Sequence, residues 1–405
     1  MTNPAGVRVE GTIADPEIDE SFMRRALALA PQGWGRVAPN PMVGAVVVKN
    51  GIVVGEGAHR EFGSAHAEVT AMSRAGPDAR GGTLYVTLEP CTHFGKTPPC
   101  VDAIIGAGLK RVVIGARDPN PAAGGGVEKL RAAGIEVSDG VLEAESSELI
   151  AAFLHAFHSD RPWVTLKLAV SKDGAIAAAK RGQTPFQKRG QTPFPPIRTE
   201  MASDPVFSEL ASDPVSPRWL TGEAARRRVH HMRAGSDAIA VGMKTVLADD
   251  PLLTVRDAEP PRIRPLRVVF SRAGRLPLDS RLAQGVDQAP VLVFAEAPDE
   301  AHATRLRALG VDVAQADLTG ALRELKKRGV QSLLVEGGAS LASSLVDAGV
   351  VDRLVIFEAP VELGSGALPA LGTPAKLEEV IRRSRQISAE PIGDDRMLVL
   401  APERR

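Results

Sequence analysis

One tyrosine, two cysteines and three tryptophans are all that the 405 residues contain of those types. With eleven phenylalanines the aromatic share is still only 4%, which argues against an extended stacking platform for single-stranded nucleic acid. Two thiols exclude a disulfide-dense secreted scaffold. Net charge is missing as well: 49 basic residues offset 49 acidic ones, so no global field draws the chain to a polyanion or an anionic membrane. No apolar run reaches the roughly 18 residues of a spanning helix, and Met1–Glu20 is polar and acidic, unlike a signal peptide. The expectation is a cytoplasmic, homo-oligomeric enzyme acting on a small molecule, with no nucleic-acid and no membrane partner. The second half also lacks a G-x-G-x-x-G after a strand, so a nucleotide there needs another cradle.

Helix and strand signals alternate along the whole chain, the pattern of α/β architecture. Helical spacing predicts a first helix over Phe22–Leu29, and Asn50-Gly51 joins the strands Val43–Val48 and Ile52–Val54 as a hairpin. Helices are predicted over His66–Arg74, Val101–Ala107 and Val127–Ala133, and strands over Thr83–Leu88, Arg111–Gly115 and Ile135–Val137. A linking helix, Glu143–Phe157, leads to strands at Trp163–Ala169, Ala238–Val241, Leu266–Phe270, Val291–Ala295, Ser332–Glu336 and Arg353–Phe357. Two domains follow from this, residues 1–160 and 161–405. Lys180–Phe186 recurs as Lys188–Phe194 and Ala202–Val206 as Ala211–Val215, both rich in proline, so about 180–216 reads as an inserted loop.

His66-Ala67-Glu68 opens a predicted helix, and Pro90-Cys91 and Cys100 follow. One imidazole and two thiolates suit tetrahedral zinc, and three protein ligands leave a fourth position for water, as in a catalytic site. Zinc lowers the pKa of bound water from about 15.7 to about 7. Glu68 stands two residues from His66, where it can take that proton and deliver it to a ring nitrogen and to departing ammonia. Alone, each residue has a plainer explanation as a core or surface side chain. Together they follow the zinc-deaminase pattern H-x-E…P-C-x-x-C, whose glutamate is not a ligand, except that eight residues separate the cysteines rather than two. The alternative is a structural zinc site closed by a fourth ligand such as His93.

With Pro39-Asn40-Pro41, Val43-Gly44, Gly95–Pro99 between the cysteines and Asp118–Pro121, the first 160 residues resemble the pyrimidine deaminase domain of the bifunctional riboflavin-biosynthesis deaminase-reductases. That resemblance implies a cytidine-deaminase-like three-layer fold, zinc held by His66, Cys91 and Cys100, proton transfer by Glu68, and a pyrimidine ring oriented by Asn40. His93 and Lys96 are further candidates for contact with a phosphoribosyl group.

The second half resembles the reductase of the same family, a dihydrofolate-reductase-like domain, through Leu166–Ala169, Ser171 to Gly174, Trp219–Thr221, Gly242 to Pro251, Leu253–Arg256 and Glu336–Gly338. The resemblance implies NADPH contacts at Ala169, Trp219, Thr245, Asp249, Ser271 and the segment Gly338, Ala339, Ser340, Leu341, Ala342, Ser343 and Ser344. It implies a phosphoribosylaminopyrimidine meeting Arg233, Leu253, Arg256 and Glu336. Arg233 and Arg256 offer bidentate donors to a phosphate, and Glu336 can accept from ribose hydroxyls or ring N–H groups. Two departures stand out: the long insert, and Pro217 where the family has a serine, with Ser216 one position away. A rival reading keeps the zinc deaminase and gives the second domain no reductase activity.

Overall fold

The computed structural model describes residues 16–177 and 220–403. The repeat-bearing insert, Ser216, Pro217 and Trp219 lie outside the described residues.

The first sheet contains β1 (Gly44–Lys49), β2 (Ile52–Ala58), β3 (Thr83–Leu88), β4 (Arg111–Ala116) and β5 (Glu136–Asp139), in the order β2-β1-β3-β4-β5. β1 runs antiparallel to both neighbours, while β3, β4 and β5 are parallel. Asn50 and Gly51 both adopt positive φ, at 54° and 73°, the tight turn that the dipeptide favours. Both faces of the sheet are covered. Helices Ala67–Ala75, Cys100–Ala107 and Gly126–Ala132 bury Ala45, Val47, Val86 and Ile114 on one side, and helix Pro16–Leu29 covers Val46, Tyr85 and Val113 on the other. Near-continuous apolar strands are the consequence of such double coverage.

The expected linking helix is two helices, Glu143–Leu149 and Ala151–His158. Ile150 leaves helical geometry at φ −114°, ψ 23° and is buried in the first core. His155 then packs edge-on against Trp163 at the start of the second sheet.

That second sheet has nine strands. They are β6 (Trp163–Ser171), β8 (Ala238–Gly242), β9 (Leu266–Ser271), β10 (Val291–Ala295), β11 (Asp312–Gln315), β12 (Ser332–Glu336), β13 (Arg353–Ala359), β15 (Arg385–Ile392) and β16 (Asp395–Ala401), in the order β11-β10-β9-β8-β12-β6-β13-β16-β15. β7 (Ala175–Ala177) and β14 (Leu368–Pro369) form a small separate pair. From β11 to β13 every pairing is parallel, and β16 and β15 close one edge antiparallel.

Parallel strands bring their carboxyl ends to one edge, and a crevice forms there where successive connections leave to opposite faces. β8 and β12 are neighbours of this kind. The helix after β8, Met243–Asp249, packs Val246 with Ile239 and Val241, whereas the helix after β12, Ala339–Asp347, packs Leu341, Ala342 and Leu345 with Ala238 and Ala240 on the other face.

Candidate active sites

His66 is the N-cap residue of helix Ala67–Ala75, Cys91 follows β3, and Cys100 is the first residue of the next helix. Their ligand atoms lie within 4.8 Å of one another. His66 Nδ1 is 3.2 Å from Cys100 Sγ and 3.6 Å from Cys91 Sγ, and the Cys100 amide donates to Cys91 Sγ at 3.4 Å. Hydrogen bonding from Cys100 and His66 favours the Cys91 thiolate, as a metal ligand requires. A borderline-soft set of one nitrogen and two sulfurs fits zinc and suits magnesium or calcium poorly.

His93 is exposed and is not part of the converging group, so among the described residues nothing fills a fourth corner. The closed structural site is therefore not what the fold builds. Glu68 is 4% exposed. Burial raises its proton affinity, which suits a carboxyl that must accept a proton and give it back.

A cavity of about 290 Å³ opens over this cluster, lined by Asn40, His59, Phe62, His93, Lys96 and Asp118 among others. His59 was not foreseen. It is buried, with Nδ1 3.3 Å from the Ala65 carbonyl and Nε2 3.2 Å from Asn40 Nδ2. A tautomer protonated at Nδ1 donates to Ala65 and accepts from the Asn40 amide, which fixes which way that amide faces. Desolvation lowers the His59 pKa and so favours the neutral ring that this arrangement needs. Glu89 was also missed: its buried carboxylate accepts from the amides of Val127 and Asp118 and pairs with Arg117, tying the Asp118 loop to the end of β3.

In the second half, Ala169, Thr245, Ser271, Glu336 and Gly338 all gather at the carboxyl edge of the parallel strands. The first-turn N–H groups of Ala339–Asp347 have no intrahelical partner, and the positive end of the helix dipole favours an anion. A Cβ on Gly338 would stand 2.9 Å from Thr245 Oγ1, so the two segments meet more closely than a side chain allows. A crevice with amide donors and a glycine at its rim fits the pyrophosphate of NADPH. Leu341 and Ala342 are buried in the core beneath, and the Ala342 amide bonds the Gly338 carbonyl. Of the segment 338–344 these two therefore offer a ligand little beyond support.

Arg233 corrects an expectation. It does not present a free fork to a phosphate: Nη2 and Nε donate to the two oxygens of Glu336, and Nη1 donates to the Thr254 carbonyl at 2.8 Å. Arg256 is the exposed guanidinium, its backbone amide held by His230 Nδ1 at 3.0 Å. Leu253 is 3% exposed, in a left-handed conformation at φ 51°. Lys167, paired in register with Glu336, was missed. Burial lowers its pKa, against attraction from Glu336 and Asp249. A lysine amid the apolar strand Val164–Val170 was the available signal.

Comparison with known proteins bears on both sites. Residues 16–116 match the model of the cytidine and deoxycytidylate deaminase zinc-binding region, and residues 208–398 match that of the RibD C-terminal domain. The riboflavin biosynthesis protein RibD of Aquifex aeolicus is 39% identical over 384 residues, covering 94% of this chain and 97% of its own. That of Escherichia coli is 39% identical over 365 residues, covering 86% and 89%. Among solved structures, Acinetobacter baumannii RibD is 34% identical with a TM-score of 0.75, covering 96% of this chain and 100% of its own. A diaminohydroxyphosphoribosylaminopyrimidine deaminase/5-amino-6-(5-phosphoribosylamino)uracil reductase from Thermotoga maritima is 37% identical with the same TM-score of 0.75, covering 96% and 99%.

Fold and sites together define a two-domain enzyme, a zinc-dependent deaminase joined to an NADPH-dependent reductase. The chain belongs to the RibD family of bifunctional riboflavin-biosynthesis enzymes.

Proposed function

We propose that this chain converts 2,5-diamino-6-(5-phosphoribosylamino)pyrimidin-4-one in two steps. Water first replaces the ring's 2-amino group with release of ammonia, and the ribosyl group of the product is then reduced to ribityl. The observation that carries this reading is the convergence of three donors, with no fourth among the described residues, beside the buried carboxyl of Glu68.

His66, Cys91 and Cys100 hold zinc, which when bound supplies an activated water. Glu68 takes a proton from that water and passes it to the ring nitrogen, then carries the proton of the added hydroxyl to the departing amino group, which leaves as ammonia. Asn40, braced by His59, orients the pyrimidine, and His93 and Lys96 face the phosphoribosyl arm. In the second domain Ala169, Thr245, Asp249, Ser271 and the turn from Gly338 hold NADPH, which supplies the hydride. Trp219 is assigned to the same site by its position in the family pattern. Arg256 receives the substrate phosphate beside Leu253. Glu336, braced by Arg233, accepts hydrogen bonds from the substrate, and Lys167 provides a half-buried donor next to it.

The reading includes domains at 1–160 and 161–405, a cytoplasmic setting and a homo-oligomer, the last open to light scattering. Among the described residues no helix is long and apolar enough to cross a membrane. The deciding experiment is metal analysis combined with parallel assays of ammonia release and NADPH consumption. Zinc near one per chain with both activities supports the proposal. Ammonia without NADPH consumption leaves only the deaminase, and neither activity overturns both halves.

A further inference from the structure

We propose that Arg262, a residue of the reductase half, is a positioning residue of the deamination cavity. It holds the strip of chain that carries Asn40 and the ring of Phe62. The inference rests on the assignment of that cavity as the deamination site.

Residues 34–40 lie between helix Ala30–Gly33 and β1 and take no part in the sheet. Carbonyls in such a segment need donors from elsewhere, and one residue of the other domain provides several. The Arg262 amide donates to the Gly35 carbonyl at 2.9 Å. Its side chain donates from Nε to the Arg36 carbonyl at 3.2 Å and from Nη2 to the Ala38 carbonyl. The Arg36 carbonyl also accepts the Phe62 amide at 3.1 Å, so the strip and the Phe62 turn share one oxygen. The Arg262 guanidinium further sits 4.8 Å from the centroid of the Phe62 ring, over which Lys96 Nζ also lies, at 4.2 Å. Phe62, Lys96 and Asn40 all line the cavity. One cation thus fixes two walls of a pocket that belongs to another domain.

The rest of the strip is docked on the same partner. Trp34 stacks on His231 with centroids 5.0 Å apart and donates from Nε1 to the His231 carbonyl at 2.7 Å. Gly35, at φ 71°, lies so close to the Ala234 carbonyl that a Cβ would come within 2.4 Å of it. In return Arg36 reaches the Pro260 carbonyl at 3.4 Å. With both ends anchored, the strip has little freedom of its own, and the two side-chain bonds of Arg262 fall within four residues of Asn40. Losing them permits Asn40 and Phe62 to drift without touching the zinc ligands, which hang from different elements. A group displaced from a binding wall weakens ground-state and transition-state binding together, so the cost falls on KM and not on kcat.

The test uses the full-length, zinc-loaded chain in five forms: parent, Arg262→Ala, Phe62→Leu, the double variant, and Arg262→Lys as the conservative control. Ammonia release is followed with the aminopyrimidine, and NADPH consumption with separately supplied deaminated product. The expected result for Arg262→Ala is a KM for deamination raised about tenfold with kcat retained. Zinc content and NADPH consumption should stay at parental values. The lysine variant should recover part of the loss, and the double variant should cost less than the two single changes combined, because the contact is shared. An unchanged KM overturns the proposal, as does a parallel fall in both activities and in melting temperature, which marks general unfolding. Should the alanine variant not fold, the lysine variant is read by the same criteria. A parent that releases no ammonia overturns the site assignment itself, a failure distinct from an unaltered Arg262 variant.

Discussion

Arg233 and Glu336 meet in a two-point ion pair, Nη2 to Oε2 at 2.9 Å and Nε to Oε1 at 2.5 Å, with both side chains about nine-tenths buried. Helix Glu223–Ala234 and the last residue of β12 are thereby tied together at the reductase cleft.

The pair should register in acid. Burial alone would raise the Glu336 pKa, but the Arg233 charge and hydrogen bonds, with Lys167 nearby, hold it below the ordinary glutamate value. A depressed folded pKa contributes stability above the unfolded value of about 4.3, and this is lost as pH falls through the folded value. Glu336→Gln should cost about 3 kcal/mol at neutral pH. The gap to the parent should begin to narrow as pH falls below about 4.3 and close only once pH has passed through the lower folded value, where the parent's carboxyl is protonated too. Urea midpoints at neutral and acidic pH measure it.

Glu68→Gln separates holding the metal from moving the proton. Zinc content should match the parent, and ammonia release should fall by at least about 100-fold. NADPH consumption with the deaminated product should be unaffected. Loss of zinc on this substitution would mean that the carboxylate is a ligand after all.

A buried network in the first domain predicts a large stability effect far from any substrate. Asp19 accepts both terminal nitrogens of Arg111 at 2.7 Å and the Tyr85 hydroxyl at 3.0 Å, docking helix Pro16–Leu29 against β3 and β4. Arg111 also reaches Glu136 and Ser138. Asp19→Ala leaves a guanidinium that is 2% exposed without its main counter-charge, at a cost of about 3 to 5 kcal/mol. Denaturant unfolding would reveal it as a lower midpoint.

Gly338→Ala introduces a methyl 2.9 Å from Thr245 Oγ1. The turn or Thr245 must yield, and the amides at the helix start move with it. The KM for NADPH should rise about tenfold, corresponding to about 1.4 kcal/mol, while ammonia release keeps its rate. Steady-state titration of the cofactor decides.

The metal set was legible because its chemistry is tied to residue type: only two cysteines exist, and one histidine stands two residues from a glutamate in the required pattern. The alternation of helix and strand was legible for the same reason in both halves, since doubly covered strands such as Val43–Val48 are almost wholly apolar. What failed depended on partners distant in sequence. The sequence identifies Arg233 as a cation but says nothing of Glu336, 103 positions away, which occupies it. His59 carries no local signature, and its role arises only when the Asn40 turn folds against it. The antiparallel edge strands β15 and β16 were not foreseen, because β15 is half-exposed and polar at alternate positions and bears a proline.

β6 is the earliest strand of its sheet to leave the ribosome, yet its two flanking partners, β12 and β13, emerge only after β8, β9, β10 and β11. Until then an apolar ribbon waits with both edges bare, the condition under which chains adhere to one another. A premature stop before Arg353 would leave the edge of β6 that meets β13 bare for good, so the strands from β13 onward, remote from either chemistry, decide whether the second half escapes such adhesion.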